Sequence, residues 1–149
     1  MGAATTTLAL ACHLAVCGCE TASGTAPLVA AGVVADRAVF GSAIGPLLAK
    51  KCGDAGCHGR AERPFALFAT GARRSDPAAT FRKTALTSAE VDANYAATLG
   101  FADATDPRQT TLLRKSVGLL GHRGGPTFEA FSDPAARAIA AWLTGQELP

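Results

Sequence analysis

Two thiols and an imidazole fall within the run Cys52-Gly53-Asp54-Ala55-Gly56-Cys57-His58. Three chemistries use these residue types. Covalent attachment of a c-type haem needs two thiols that add to the porphyrin vinyl groups and an imidazole beside the second thiol that reaches the iron from one face. A structural zinc ion takes four N/S ligands, and Cys52, Cys57, His58 and His122 make up that number with an ordinary first spacer. A Cys52–Cys57 disulfide would close a small loop and would suit an exported chain. The adjacency of Cys57 and His58 favours haem, because a thioether at Cys57 fixes where the next side chain points. Zinc asks those two neighbours to converge on one ion, and His122 has no second ligand at short spacing; a disulfide leaves His58 without a role. The haem reading has one irregularity, a four-residue spacer where two is usual. Gly53 and Gly56 can take positive φ at little cost, so the extra residues can loop out.

The chain has 149 residues, enough for one hydrophobic core preceded by a leader. A net charge of +2 with 17% charged residues provides no basic stripe for nucleic acid and no acidic tail. Aromatic residues make up only 6%, so a core built largely of small residues would gain bulk from a buried prosthetic group. No acidic residue precedes Glu20, and Leu8 to Cys17 has the length of a signal-peptide apolar region, too short to cross a bilayer. Val16-Cys17-Gly18-Cys19 resembles a bacterial lipobox, with Cys19 the better candidate for lipidation. The missing Lys and Arg and the interrupting His13 depart from that pattern. We therefore expect a signal peptide of lipoprotein type over 1–19, a flexible tether over 20–36 rich in Ala, Gly and Thr, and a folded domain over 37–149. With Cys12, Cys17 and Cys19 in the leader, the folded body retains one cysteine pair and two histidines, His58 and His122.

The elements that must carry these groups are helical. Val39, Phe40, Ile44, Leu47 and Leu48 recur at helical spacing and Lys50-Lys51 suit a helix C-terminus, so a helix from about Ala38 to Lys51 delivers the chain into Cys52. Thr87-Ser88-Ala89-Glu90 is a capping box ahead of Val91, Tyr95 and Leu99, closed by Gly100. Thr110 to Val117 predicts a third, short helix. Asp133-Pro134 opens a last one, with Ile139, Trp142 and Leu143 on its apolar face. The class is mostly α, although "FALFAT" (Phe65 to Thr70) could form a short strand. Asp54 reads as a turn residue. Trp142, Phe40, Leu47, Leu48, Ile139 and Leu143, like Tyr95, read as core packing. No nucleophile elbow, P-loop, zinc-protease motif or paired carboxylates suggest an enzyme.

From about Phe40 onward, "PLLAKKCGDAGCHG", "LLRKSVGLLGHRGGPTF" and "IAAWL" resemble the small exported cytochrome c-like domains of Gram-negative bacteria. That resemblance implies three to five helices around one covalently bound haem c, with the first and last helices crossing. It implies Cys52 and Cys57 as thioether sites and His58 as proximal ligand. The only methionine is Met1, so a mature chain has no methionine for the sixth position. His122, in a glycine-rich loop, is the other histidine of the folded body and the candidate distal ligand; alone it could equally be a solvated loop residue. Phe128 or Phe131 could shield the ring edge, and Arg123 could meet a haem propionate or simply be a surface charge.

Bis-histidine iron lacks the thioether that raises the potential of His/Met cytochromes, so a low-potential single-electron carrier of the periplasm or cell envelope is expected. Its membrane contact would come through a lipid at Cys19, and no sequence feature specifies its redox partner. Without His122 on iron, an open sixth position would suit a haem-based sensor or peroxidase-like chemistry. A non-haem structural module, with a disulfide or zinc at Cys52/Cys57, is the alternative from another class.

Overall fold

The computed structural model describes Ala30 and residues 32–149. The expected leader with Cys19 and most of the expected tether lie outside the described residues. Four helices and no strand occur among the described residues, in keeping with a mostly α fold. None of these helices is long and apolar enough to cross a membrane.

The first helix, α1, runs continuously through Arg37–Val39, a π turn over Phe40–Ile44, and Gly45–Cys52. Asp36 caps its start by accepting from the Val39 amide at 2.7 Å. The widened π turn falls just before Pro46, whose ring has no N–H to extend the ladder and crowds the carbonyl four residues earlier. Lys50 and Lys51 occupy the last turn, where cations suit the helix dipole. The helix α2 spans Ser88–Leu99 behind the predicted capping box: the Thr87 hydroxyl accepts from the Glu90 amide, and the Glu90 carboxylate accepts from the Thr87 amide. The short α3, Thr111–Ser116, is capped by Thr110, and α4, Pro134–Thr144, by Asp133.

The first and last helices meet through aromatic rings. Phe40 and Trp142 lie 5.4 Å apart between centroids, and Tyr95 of α2 meets both edge-on. Such pairs add about 0.5–1.5 kcal/mol beyond the area they bury. Ile44, Leu48, Leu113, Ile139 and Leu143 complete a buried core, each worth about 1.5–3 kcal/mol when taken from water. The packed body begins before the boundary expected at residue 37. The Trp142 indole donates to the Asp36 carbonyl at 2.8 Å, the Tyr95 hydroxyl to that of Ala35 at 2.8 Å, and the Val34 amide to that of Leu143 at 2.9 Å. The end of the expected tether is thus stitched onto α2 and α4.

Between α1 and α2 the chain runs from Gly53 to Thr87 with a single 3-10 turn, Pro77–Ala79, as its only helical element. A connection this long needs anchors. The short strand that Phe65 to Thr70 could have formed is absent. The Asn94 side chain takes the place of a neighbouring strand there, accepting from the Phe68 amide at 2.7 Å and donating to the Phe68 carbonyl at 2.8 Å. Further along, Arg74 and Glu90 form an ion pair whose side chains are 2% and 1% exposed. The same carboxylate accepts from the amide and hydroxyl of Ser75. The Arg74 guanidinium also satisfies the carbonyls of Thr84 and Ala85.

The Arg74 guanidinium, aided by the Ser75 and Thr87 amides, holds the Glu90 carboxyl far below the usual carboxylate range against the opposing effect of burial. A carboxyl depressed in the native state adds stability above its unfolded pKa of about 4.3, and that stability drains away as the pH falls below this value. Glu90→Gln should weaken the acid-side dependence, leaving the smaller part due to Asp103, and cost about 3 kcal/mol at neutral pH, since the guanidinium stays buried without its counter-charge. Urea midpoints of the two proteins between pH 3 and pH 7 check both effects.

Candidate functional site

The helix α1 ends where the motif begins. Cys52, its last residue, is buried, and the Gly53 amide closes the helix on the Ala49 carbonyl at 3.0 Å. The spacer then folds as a compact loop around Asp54. The Asp54 side chain accepts from the Gly56 amide at 2.7 Å, and its carbonyl accepts from the amides of Cys57 at 2.9 Å and Gly59 at 2.8 Å. The sequence reading of Asp54 as a turn residue is therefore correct. The His58 amide returns to the Cys52 carbonyl at 3.0 Å, so the four spacer residues bulge outward while the motif's ends are drawn together. This closure demands glycine on both sides. A Cβ on Gly53 would meet Ala69 Cβ at 2.7 Å, and one on Gly59 would collide with the Gly53 carbonyl and with Ala72 Cβ at 2.8 Å.

Both cysteines are free thiols. Burial, with a contribution from neighbouring Cys57, pushes the Cys52 thiol up to about 11, while the Cys57 side chain is exposed.

His58 and His122, distant in sequence, come together. Their Nε2 atoms lie 3.4 Å apart and their ring planes are within 10° of parallel. The centroids are 5.7 Å apart, 2.3 Å more than the nitrogens, which is about what two imidazole centre-to-nitrogen distances add when rings meet tip to tip. The opposite edges are anchored. His58 Nδ1 lies 2.6 Å from the Phe65 carbonyl oxygen, and His122 Nδ1 lies 2.6 Å from that of Gly125. A carbonyl only accepts, so both Nδ1 atoms must carry the proton. In the neutral rings both Nε2 atoms are then bare, with lone pairs aimed at one another. Two such lone pairs at this distance repel unless an electron-poor partner lies between them. Burial lowers His58 from the ordinary imidazole range, opposed by the Phe65 carbonyl and assisted by the charges of His122, Arg63 and Lys115.

A cavity of about 150 Å³ adjoins the pair, walled by Cys52, Phe65, Phe101, Leu112 and Lys115 among others. A larger cavity of about 440 Å³ lies along α1 beside Gly41, Gly45 and Val91, but neither histidine and neither free thiol lines it. The chemistry therefore belongs to the smaller one. Its aromatic wall differs from expectation. Phe65 packs edge-on to His58 at 4.9 Å and Phe101 meets Phe65 at 5.1 Å. Phe128 is buried in the core and Phe131 lies beneath the Arg108 guanidinium, so neither lines the cavity. The amides of Thr127 and Phe128 both bond to the Ser116 carbonyl; Thr127 faces the cavity and the Phe128 side chain is buried in the core.

Arg123 is exposed and outside the cavity lining, whereas Lys115 of α3 lines it. The sequence reading missed Phe65, Phe101 and Lys115. Phe101 directly follows the helix-ending Gly100, a position where an apolar residue is a usable signal; the other two read as parts of a strand and a helix. Among the described residues no group of three or more His, Cys, Asp or Glu side chains converges as a metal cage, so the four zinc ligands considered from sequence are not brought together. Comparisons with protein-family models, curated proteins and solved structures find no match to this chain.

The thiols differ enough to test. With both thiols free, Cys57 should be alkylated by iodoacetamide at pH 8 at least tenfold faster than Cys52, because Cys57 is exposed while burial shields Cys52 and keeps it protonated. Peptide mass mapping over a time course reads the order, and equal rates would mean that Cys52 is not buried.

Proposed function

We propose that the chain is a monohaem c-type cytochrome with a cytochrome c-like fold, carrying single electrons in the cell envelope. The observation behind this reading is the pair of bare, tip-to-tip Nε2 atoms, one of which belongs to the histidine that directly follows Cys57. Cys52 and Cys57 would hold the haem as thioethers, with His58 as proximal and His122 as distal ligand. When bound, the haem supplies a one-electron iron centre whose potential is set largely by its axial ligands and surroundings.

The donor set fits this group in kind: two thiols, an adjacent imidazole and a second imidazole opposite. The volume fits less well, since the adjoining cavity cannot enclose a porphyrin. The 3.4 Å between the nitrogens also falls short of two metal–imidazole bonds of about 2.0–2.1 Å each by roughly 0.7 Å. The slack lies on the His122 side. Gly125 there has φ +73°, and no atom comes within 4 Å of where its Cβ would stand.

The chain's own groups then have definite tasks. The Phe65 and Gly125 carbonyls fix both imidazoles in the Nδ1–H tautomer and make Nε2 a better donor. Phe65, Phe101 and Leu112 give the His58 side an apolar wall. With Met1 the only methionine, the sixth position falls to His122, which favours a low potential. Arg123, exposed beside His122, is offered as a propionate contact. The lipoprotein-type leader supplies export, and a lipid at Cys19 would provide the membrane anchor.

Expression in a host that matures c-type cytochromes should give a Soret band that survives acid-acetone extraction; a colourless chain, or colour lost on extraction, contradicts the proposal. In His122→Ala the ferric spectrum should change from low-spin to high-spin, and carbon monoxide should bind the ferrous form rapidly. An unchanged low-spin spectrum would remove His122 from the iron and give the sixth position to another strong-field ligand, whereas a wild-type protein that is already high-spin and binds carbon monoxide rapidly would favour the reading with an open sixth position.

A further inference from the structure

The loop that carries His122 is fastened firmly at its base. The Arg114 carbonyl accepts from the amides of Leu119 and Leu120, and the Ser116 carbonyl accepts from those of Thr127 and Phe128. Its tip, from Gly121 to Pro126, is rich in glycine and has little of its own to pack. Inside the tip there are two bonds, His122 Nδ1 to the Gly125 carbonyl and the Gly125 amide to the His122 carbonyl at 2.9 Å. Both lie within the tip, so they last only while the tip keeps its shape, and neither ties it to the helices. Apart from the facing His58, one side chain from outside the loop, among the described residues, bonds to the tip: Lys115, whose Nζ donates to the Gly121 carbonyl at 3.1 Å. Gly121 immediately precedes His122. Lys115 stands in the last turn of α3, so it ties the tip to a helix packed into the core through Leu112 and Leu113. It also lines the cavity at the histidine pair, and its charge acts on His58.

We infer that Lys115 is the positioning residue of the second histidine: its ammonium latches the loop tip and so sets how firmly the His122 Nε2 is held opposite that of His58. This rests on the function proposed above for its consequence at the iron, but not for the latch itself. A closed latch keeps the sixth position occupied. An open latch lets the tip swing out on its glycines and admits small neutral ligands. The ammonium has a second effect, since a positive charge beside the site favours the electron-richer, reduced state of whatever iron is held there.

The test compares the wild-type chain with Lys115→Met, which keeps the stem but removes donor and charge, and Lys115→Arg, which keeps both. Without haem, amide exchange at Gly125 should quicken about tenfold in Lys115→Met, as losing a charge-assisted hydrogen bond implies. The amides of Thr127 and Phe128 at the loop base should keep their protection, and Lys115→Arg should restore Gly125. Unchanged exchange at Gly125 overturns the latch. So does a uniform loss over tip and base, which would make Lys115 a general stability residue. With haem, Lys115→Met should bind carbon monoxide about tenfold faster and have a lower potential, with both reversed in Lys115→Arg. A chain that takes up no haem refutes the proposed function while the exchange result still decides the latch.

Discussion

One buried carboxylate holds the site together from a distance. Glu90 sits at the first turn of α2 and takes hydrogen bonds from Arg74, Ser75 and Thr87, which are otherwise parts of a long connection without regular structure. A buried charge is tolerable only when its partner and remaining lone pairs are satisfied, and here no buried side-chain N or O lacks a partner among the described residues. The carboxylate thereby fixes where the connection returns to the helices. With that end fixed, Asn94 can hold Phe68 one helical turn further along α2, and Phe65 is presented to His58 three residues earlier in the chain.

The second imidazole is organised differently. His122 takes its orientation from Gly125 in its own loop, and the loop takes its position from α3. One histidine is thus held by a core-anchored connection and the other by a tethered tip. The asymmetry suits an iron site in which one ligand is permanent and the other adjusts, because the adjustable side can supply the roughly 0.7 Å by which the two nitrogens stand too close. On the proposed reading it would also let the chain shift between a closed electron carrier and an open ligand binder with Cys52, Cys57 and His58 unchanged.

Much of this was legible in the sequence, for physical reasons that differ from element to element. Helix ends were readable because caps are local: Thr87 with Glu90, Asp133 with Pro134 and Lys50-Lys51 act within a turn of where they stand. The core residues Phe40, Ile139, Trp142 and Leu143 were readable from their spacing. The motif declared itself through the Cys57–His58 adjacency and its flanking glycines. Partners set by tertiary contact were not readable. Nothing about Asn94 announces that it will stand in for a strand beside Phe68, and Arg74 looks like any surface arginine until Glu90 is seen beneath it. The Phe65 carbonyl is a backbone group, so no residue type marks it. Phe128 and Phe131 were sensible aromatic candidates near His122, but Phe128 is buried in the core, Phe131 lies beneath Arg108, and Phe65 and Phe101 take the place beside the histidines.

The central claim is that His58 and His122 together grip one iron through the Nε2 atoms that face each other. The electron paramagnetic resonance spectrum of the ferric protein tests it most directly, because spin state reports whether both strong-field nitrogen positions are filled. The account predicts a wholly low-spin signal of bis-imidazole type in the wild-type protein. A predominantly high-spin signal, or no haem signal in protein matured under conditions that load other c-type cytochromes, would contradict it.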